Sequence, residues 1–163
     1  MSSTITYLNG DATYPQGEGN KIIAHVCNDI GVWGAGFVLS ISKRWKHPEN
    51  EYRAWREHKD FKLGAIQLMK VEEDIHVVNM IAQRGIKTHS SDVPLKYDAL
   101  AECLLLVAEH AIGLNASVHM PRIGCGLAGG KWEMVEPIIQ KTLVNHGISV
   151  YVYDYIKPEG NTK

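Results

Sequence analysis

A chain of 163 residues is long enough for one well-buried domain and short for two. Its formal charge of −1, with 45% apolar and 21% charged residues, argues against a disordered polyelectrolyte and against a basic surface for nonspecific nucleic-acid binding. Cys27, Cys103 and Cys125 form no C-x-x-C pair, and no charged-then-apolar leader opens the chain, so a soluble protein of the reducing cytoplasm is expected.

Thr4 to Leu8 reads as a first strand ending at Asn9-Gly10-Asp11, a turn combination that presents an acid at the strand's carboxyl end. Tyr14 to Asn20 is loop, and Ile22 to Val26 a buried strand. Beyond Gly36, the spacing of Phe37, Ile41 and Trp45 predicts a helix ending near His47-Pro48, and a short helix over about Glu49 to His58 carries Tyr52 and Trp55. Gly64 to Lys70 alternates, Glu72-Glu73-Asp74 turns, and Ile75 to Ile81 is nearly continuous apolar, as suits a strand covered on both faces. From Asp98, a candidate cap, apolar residues keep the helical repeat to Ala111, with Gly113 as a stop. Glu102, Glu109 and His110 interrupt this stretch, so no membrane span is expected. Ser117 to Met120 is a short strand, Trp132 to Asn145 a helix that Pro137 must kink or start late, and Ile148 to Tyr155 a last strand. This alternation predicts α/β layers around a mixed, mostly parallel sheet.

Two segments repeat a strand–glycine loop–helix pattern: Cys27-Asn28-Asp29-Ile30-Gly31-Val32-Trp33-Gly34-Ala35-Gly36, and Pro121-Arg122-Ile123-Gly124-Cys125-Gly126-Leu127-Ala128-Gly129-Gly130-Lys131-Trp132. Glycines let backbone N–H groups converge on an anion, and a helix N-terminus adds positive potential. Two such loops at neighbouring strand ends could grip a diphosphate from both sides, where open α/β sheets bind ligands. Walker A fails because Gly130 occupies the lysine position, and the G-x-G-x-x-G from Gly124, Gly126 and Gly129 lacks a following ribose-binding acid.

Asn9-Gly10-Asp11-Ala12-Thr13, His25-Val26-Cys27-Asn28, Trp33-Gly34-Ala35-Gly36 and Pro121 to Leu127, in this order and spacing, resemble the macrodomain family over almost the whole chain. The branch it most resembles includes terminal ADP-ribose hydrolases, a chromatin-remodeller macrodomain and the yeast-type ADP-ribose-1″-phosphate phosphatase. The resemblance implies a single macrodomain over 1–157, with 158–163 as a flexible tail. It also implies Asp11 on the adenine amino group, Ala12 as a backbone contact, Trp33, Gly34, Ala35 and Gly36 on one side of the diphosphate and distal ribose, Gly124, Cys125, Gly126 and Leu127 on the other, and Asn28 near the distal ribose.

In the phosphatase branch a histidine in a similar H-x-C-N segment is catalytic, which makes His25 a candidate base, with Asn28 of the same segment a second catalytic candidate; the plain alternative for His25 is a hydrogen-bonded core histidine. Lys96 is a candidate nucleophile toward a sugar carbonyl, although the lysine of the hydrolase branch aligns with Val93, and Ala128 stands where that branch has an acid. A solvated lysine is the bland reading of Lys96. Cys125 is read as packing, Asp29 and Asp92 as water-orienting groups or turn caps, and Trp33 and Trp132 as walls of the cleft. The histidines have no metal-ligand spacing, so neither metal nor cofactor is expected. The expectation is an ADP-ribose-binding macrodomain, with a monomer favoured over an oligomer and nucleic-acid binding disfavoured. It hydrolyses a group at C1 of the distal ribose, a 1″-phosphate or an ADP-ribosyl ester. The alternative is a noncatalytic reader of ADP-ribosylated targets.

Overall fold

The computed structural model describes residues 4–86, 88, 89 and 92–155. Its elements run β1 (Ile5–Asn9), β2 (Lys21–Asn28), α1 (Phe37–Arg44), α2 (His47–Trp55), β3 (Ile66–Glu72), β4 (Ile75–Gln83), α3 (Tyr97–Leu114), β5 (Ser117–Met120), α4 (Trp132–Thr142) and β6 (Val150–Asp154). They form a six-stranded sheet in the order β1-β6-β5-β2-β4-β3. Every neighbouring pair is parallel except β3 with β4. The α/β layering and mixed, mostly parallel sheet therefore match the sequence pattern.

Helices cover both faces, which explains why β2 and β4 read as nearly unbroken apolar runs. Ile22, Ala24, Val78 and Met80 pack with α3 and α4, whereas Ile23, Cys27, Val77 and Ile81 pack with α1 and α2. Adjacent residues of one strand thus enter different cores, as the two-residue period of a strand requires.

Several boundaries differ from expectation for local reasons. The stop of α3 is Asn115, in the left-handed region at φ 52°, and Gly113 lies inside the helix; a short polar side chain tolerates that conformation. Lys96 occupies the N-cap position of α3, so Asp98 falls in its first turn, where its carboxylate accepts the N–H of Ala99 at 2.9 Å. α2 begins earlier than expected, with Pro48 in its first turn, where a missing N–H costs nothing. α4 starts at Trp132 with Pro137 inside it, leaving the Glu133 carbonyl without its usual helical donor. The 158–163 tail lies outside the described residues. Among the described residues, no helix is long and apolar enough to cross a membrane.

Candidate functional site

Because β1, β2, β4, β5 and β6 run parallel, the segments leaving their carboxyl ends gather at one end of the sheet. Two cavities lie there. The larger, about 550 Å³, has Asn28, Trp33, Gly34, Ala35 and Gly36 on one side, Gly124, Gly126, Leu127 and Ala128 on the other, and Gln83 and Ile86 beyond β4. The smaller, about 220 Å³, is lined by Asp11, Ala12, Ser40, Tyr153 and Tyr155 among others. Gly36, Phe37 and Pro121 line both, so the two cavities adjoin there. A Cβ added to Gly36 would lie 3.7 Å from Leu127 Cδ1, so the two glycine loops face each other across the larger one.

The first loop is organised by Asn28. Its side-chain oxygen accepts the N–H groups of Ile30 (3.1 Å) and Val32 (3.2 Å), and its amide donates to the Val32 carbonyl at 2.7 Å. Trp33, 5% exposed, walls the cavity and donates its indole N–H to Ser42 Oγ at 2.7 Å. Gly36 leads directly into α1, which no side chain caps. Leu39 N–H turns back to the Gly36 carbonyl at 3.1 Å, which leaves the first two amides of α1, those of Phe37 and Val38, for solvent or a ligand.

The second loop is folded on itself. Gly130 N–H donates to the Gly124 carbonyl at 2.7 Å and Gly129 N–H to the Gly126 carbonyl at 3.0 Å. Arg122 forks onto Asp154 through Nε (2.7 Å) and Nη2 (3.0 Å), pinning the loop's start to the end of β6. That hydrogen-bonded pairing holds the Asp154 carboxyl below its ordinary range. Cys125 lines neither cavity; its thiol donates to the Ile123 carbonyl at 3.4 Å, and burial pushes its pKa up, which suits packing. Trp132 also lines neither cavity, because its ring packs edge-on against Tyr7 at 6.3 Å. At the far end, one oxygen of Asp11 accepts the N–H (2.9 Å) and hydroxyl (2.7 Å) of Thr13.

A macrodomain protein from Streptomyces coelicolor is 52% identical, over 93% of this chain and 99% of that one, and superposes with a TM-score of 0.83. The chain belongs to the macrodomain family. A protein of unknown function from Bacteroides thetaiotaomicron is likewise 52% identical, with 96% and 100% of the two chains covered and a TM-score of 0.91. Mouse chromodomain-helicase-DNA-binding protein 1-like is 32% identical over 162 residues, 93% of this macrodomain but 18% of that protein, so the chain spans under a fifth of this relative's length. The ADP-ribose 1″-phosphate phosphatase of Lodderomyces elongisporus is 28% identical over 160 residues, covering 93% of this chain and 99% of that one. No family model matches the chain.

Within this macrodomain the three candidate catalytic residues are placed very differently. His25, 2% exposed, borders the larger cavity, but its Nε2 lies 2.5 Å from Asn79 Oδ1 and its ring meets Trp33 edge-on at 5.6 Å. Since that oxygen can only accept, Nε2 carries the proton. Burial pushes the His25 pKa down to about 4, so the ring is neutral near pH 7. Asn28 borders the same cavity with its oxygen already committed to the loop. Lys96 is not brought to either cavity; its backbone N–H donates to the Ala82 carbonyl at 2.8 Å as α3 begins. Val93 and Ala128, at the positions where the hydrolase branch carries lysine and acid, both flank the second loop: Ala128 lines the cavity, and a Cβ on Gly129 would come within 3.3 Å of Val93 Cα. Asp29 ties the first loop to the segment after β4, accepting the Gly85 N–H at 2.8 Å. Asp92 accepts the N–H groups of Thr88 (2.9 Å) and His89 (2.8 Å), a turn-closing role. Among the described residues, no group of three or more His, Cys, Asp or Glu is arranged to hold a metal.

Sequence reasoning missed Gln83, Ile86, Tyr153 and Tyr155 as wall residues. Their signal is positional: each stands at or just beyond the carboxyl end of a parallel strand.

The two glycines Gly130 and Gly126 separate folding from binding. A Cβ at Gly130 would sit 2.6 Å from the Gly124 carbonyl oxygen, whereas at Gly126 it meets nothing within 4 Å. Gly130→Ala is expected to lose about 1–3 kcal/mol in urea denaturation, and Gly126→Ala to unfold like the wild type; equal losses would contradict this loop packing. For His25, the folded pKa lies below its ordinary 6.5, so the unfolded chain binds more protons between about pH 4 and pH 6.5. The stability from keeping the ring neutral is full above that window and falls by about 3 kcal/mol as the pH drops through it. His25→Gln is expected to reduce the fall of Tm in that window without abolishing it, because burial also pushes the His119 pKa down to about 4, and an unchanged slope would contradict the burial account.

Proposed function

We propose that this macrodomain binds ADP-ribose along the cleft and hydrolyses a group carried at C1 of the distal ribose. Adenosine occupies the smaller cavity, where Asp11 accepts from the adenine amino group and Ala12 approaches through its backbone. The diphosphate lies between Gly34–Gly36 and Gly124–Leu127, and the distal ribose fills the larger cavity over Asn28. The observation that carries this reading is that the two cavities adjoin at Gly36, Phe37 and Pro121, with amide-rich loops on opposite sides of the larger one. A diphosphate is matched there by backbone N–H groups and the uncapped start of α1.

The substrates that fit are ADP-ribose-1″-phosphate and ester-linked ADP-ribosyl adducts. Water adds to the phosphorus or to the ester carbonyl carbon, and the ribose oxygen departs with a proton. The loops hold the distal ribose for that attack and meet developing negative charge with preorganised amides. His25 and Asn28 stand beside the reacting end, the neutral imidazole and the amide shaping the floor on which water is positioned. A lysine adduct has no part, because Val93 and Ala128 are apolar and Lys96 lies outside the cavity. The likeness over full length to a protein named as an ADP-ribose 1″-phosphate phosphatase supports the phosphate ester as the first substrate to assay. The same Val93 and Ala128 favour a second reading, a noncatalytic reader of ADP-ribosylated targets.

Calorimetry is expected to give saturable one-to-one binding of ADP-ribose; its absence at millimolar ligand contradicts both readings. Incubation with ADP-ribose-1″-phosphate and with ester-linked ADP-ribosyl protein is expected to release phosphate or free ADP-ribose. Binding without turnover of either leaves the reader.

A further inference from the structure

Tyr52 lies on α2, lines neither cavity and is fully buried, yet its hydroxyl is directed at the root of the first glycine loop. We propose that Tyr52 is a positioning residue that sets this loop for the diphosphate–ribose half of the ligand, an inference that rests on the reading of the cleft as an ADP-ribose site. Its O–H is shared between two oxygens of one residue, the Asn28 carbonyl at 2.6 Å and Asn28 Oδ1 at 2.8 Å. The register of β2 against β4 shifts between Cys27 and Asn28, so the sheet pairing is irregular at the very residue whose carbonyl Tyr52 meets. Oδ1 also accepts Ile30 and Val32 N–H, so three donors converge on one atom and the phenol fixes the side chain that fixes the loop.

The ring has little freedom to retreat. Its centroid is 5.5 Å from that of Trp33 and 5.8 Å from that of Phe61, and Trp33 is itself a wall of the larger cavity. Burial pushes the phenol pKa up, which keeps the hydroxyl a donor at any working pH. Tyr52→Phe removes the hydroxyl and retains the ring, so Asn28 is held only by its bonds to Ile30 and Val32 and the loop leading to Gly34–Gly36 loses part of its anchorage. Asp11, Ala12, Tyr153 and Tyr155 line the smaller cavity from beyond β1 and from β6, and that cavity meets the first loop only at Gly36 and the start of α1, so adenosine should register the change less than the diphosphate–ribose half.

The test compares two ligands in wild type and Tyr52→Phe, with ADP-ribose followed by calorimetry and adenosine by NMR titration. The affinity for ADP-ribose is expected to fall about tenfold, the scale of one buried hydrogen bond. The affinity for adenosine is expected to fall clearly less, because its cavity shares only Gly36, Phe37 and Pro121 with the larger one. Hydrogen exchange at the Ile30 and Val32 amides should be slow in the unliganded wild type and faster in the variant. Equal losses for both ligands, an unchanged ADP-ribose affinity, or fast exchange of those amides in the wild type would each overturn the proposal, the last without recourse to the variant. A wild type that binds no ADP-ribose overturns the reading of the site and this inference with it.

Discussion

Two glycine loops can face each other here because β2 and β5 are parallel neighbours at the centre of the sheet. Their carboxyl ends emerge side by side, and the chain must leave each as a loop at the same end. Everything else about the cleft depends on that constraint. The Gly36 to Leu127 approach sets its width, Pro121 and Phe37 join its two cavities, and the start of α1 opens into it. Had β5 run antiparallel to β2, the second loop would open at the opposite end of the sheet, and no single anion could touch both.

Amides that await a ligand need a rigid frame, since a loop free to collapse would satisfy its N–H groups internally. Each loop has its own anchor. The first is held from beneath by Asn28, with Trp33 tied through Ser42 to Glu49 on α2. The second is held from the side by the Arg122 fork on Asp154 and from behind by Leu95, whose N–H meets the Ala128 carbonyl at 3.1 Å. Gly124 and Gly130 have no room for a side chain against Leu95, so their identity is dictated by packing. Gly126 faces open space, so packing does not dictate its identity.

What could be read from the sequence follows from how local each signal is. The loops were legible because glycines cluster directly after apolar runs, and Asp11 because a turn residue followed the first strand. His25 was legible as a candidate only. Its partner Asn79 lies on the neighbouring strand β4, and no spacing rule links the two positions. Tyr52 could be placed on a short helix beside Trp55, and nothing nearby told that its hydroxyl ends on Asn28. Lys96 follows the Val93 to Leu95 stretch that packs behind the second loop, but α3 begins there and Lys96 lines neither cavity. The stop of α3 at Asn115 was hidden by Gly113, the residue type that more often ends a helix.

The most direct measurement is a crystal structure with ADP-ribose soaked in. The account predicts the two phosphates between Gly34–Gly36 and Gly124–Leu127, within hydrogen-bond reach of backbone N–H groups on both sides, with adenine beside Asp11. Phosphates bound by one loop alone, or adenine seated in the larger cavity, would contradict it.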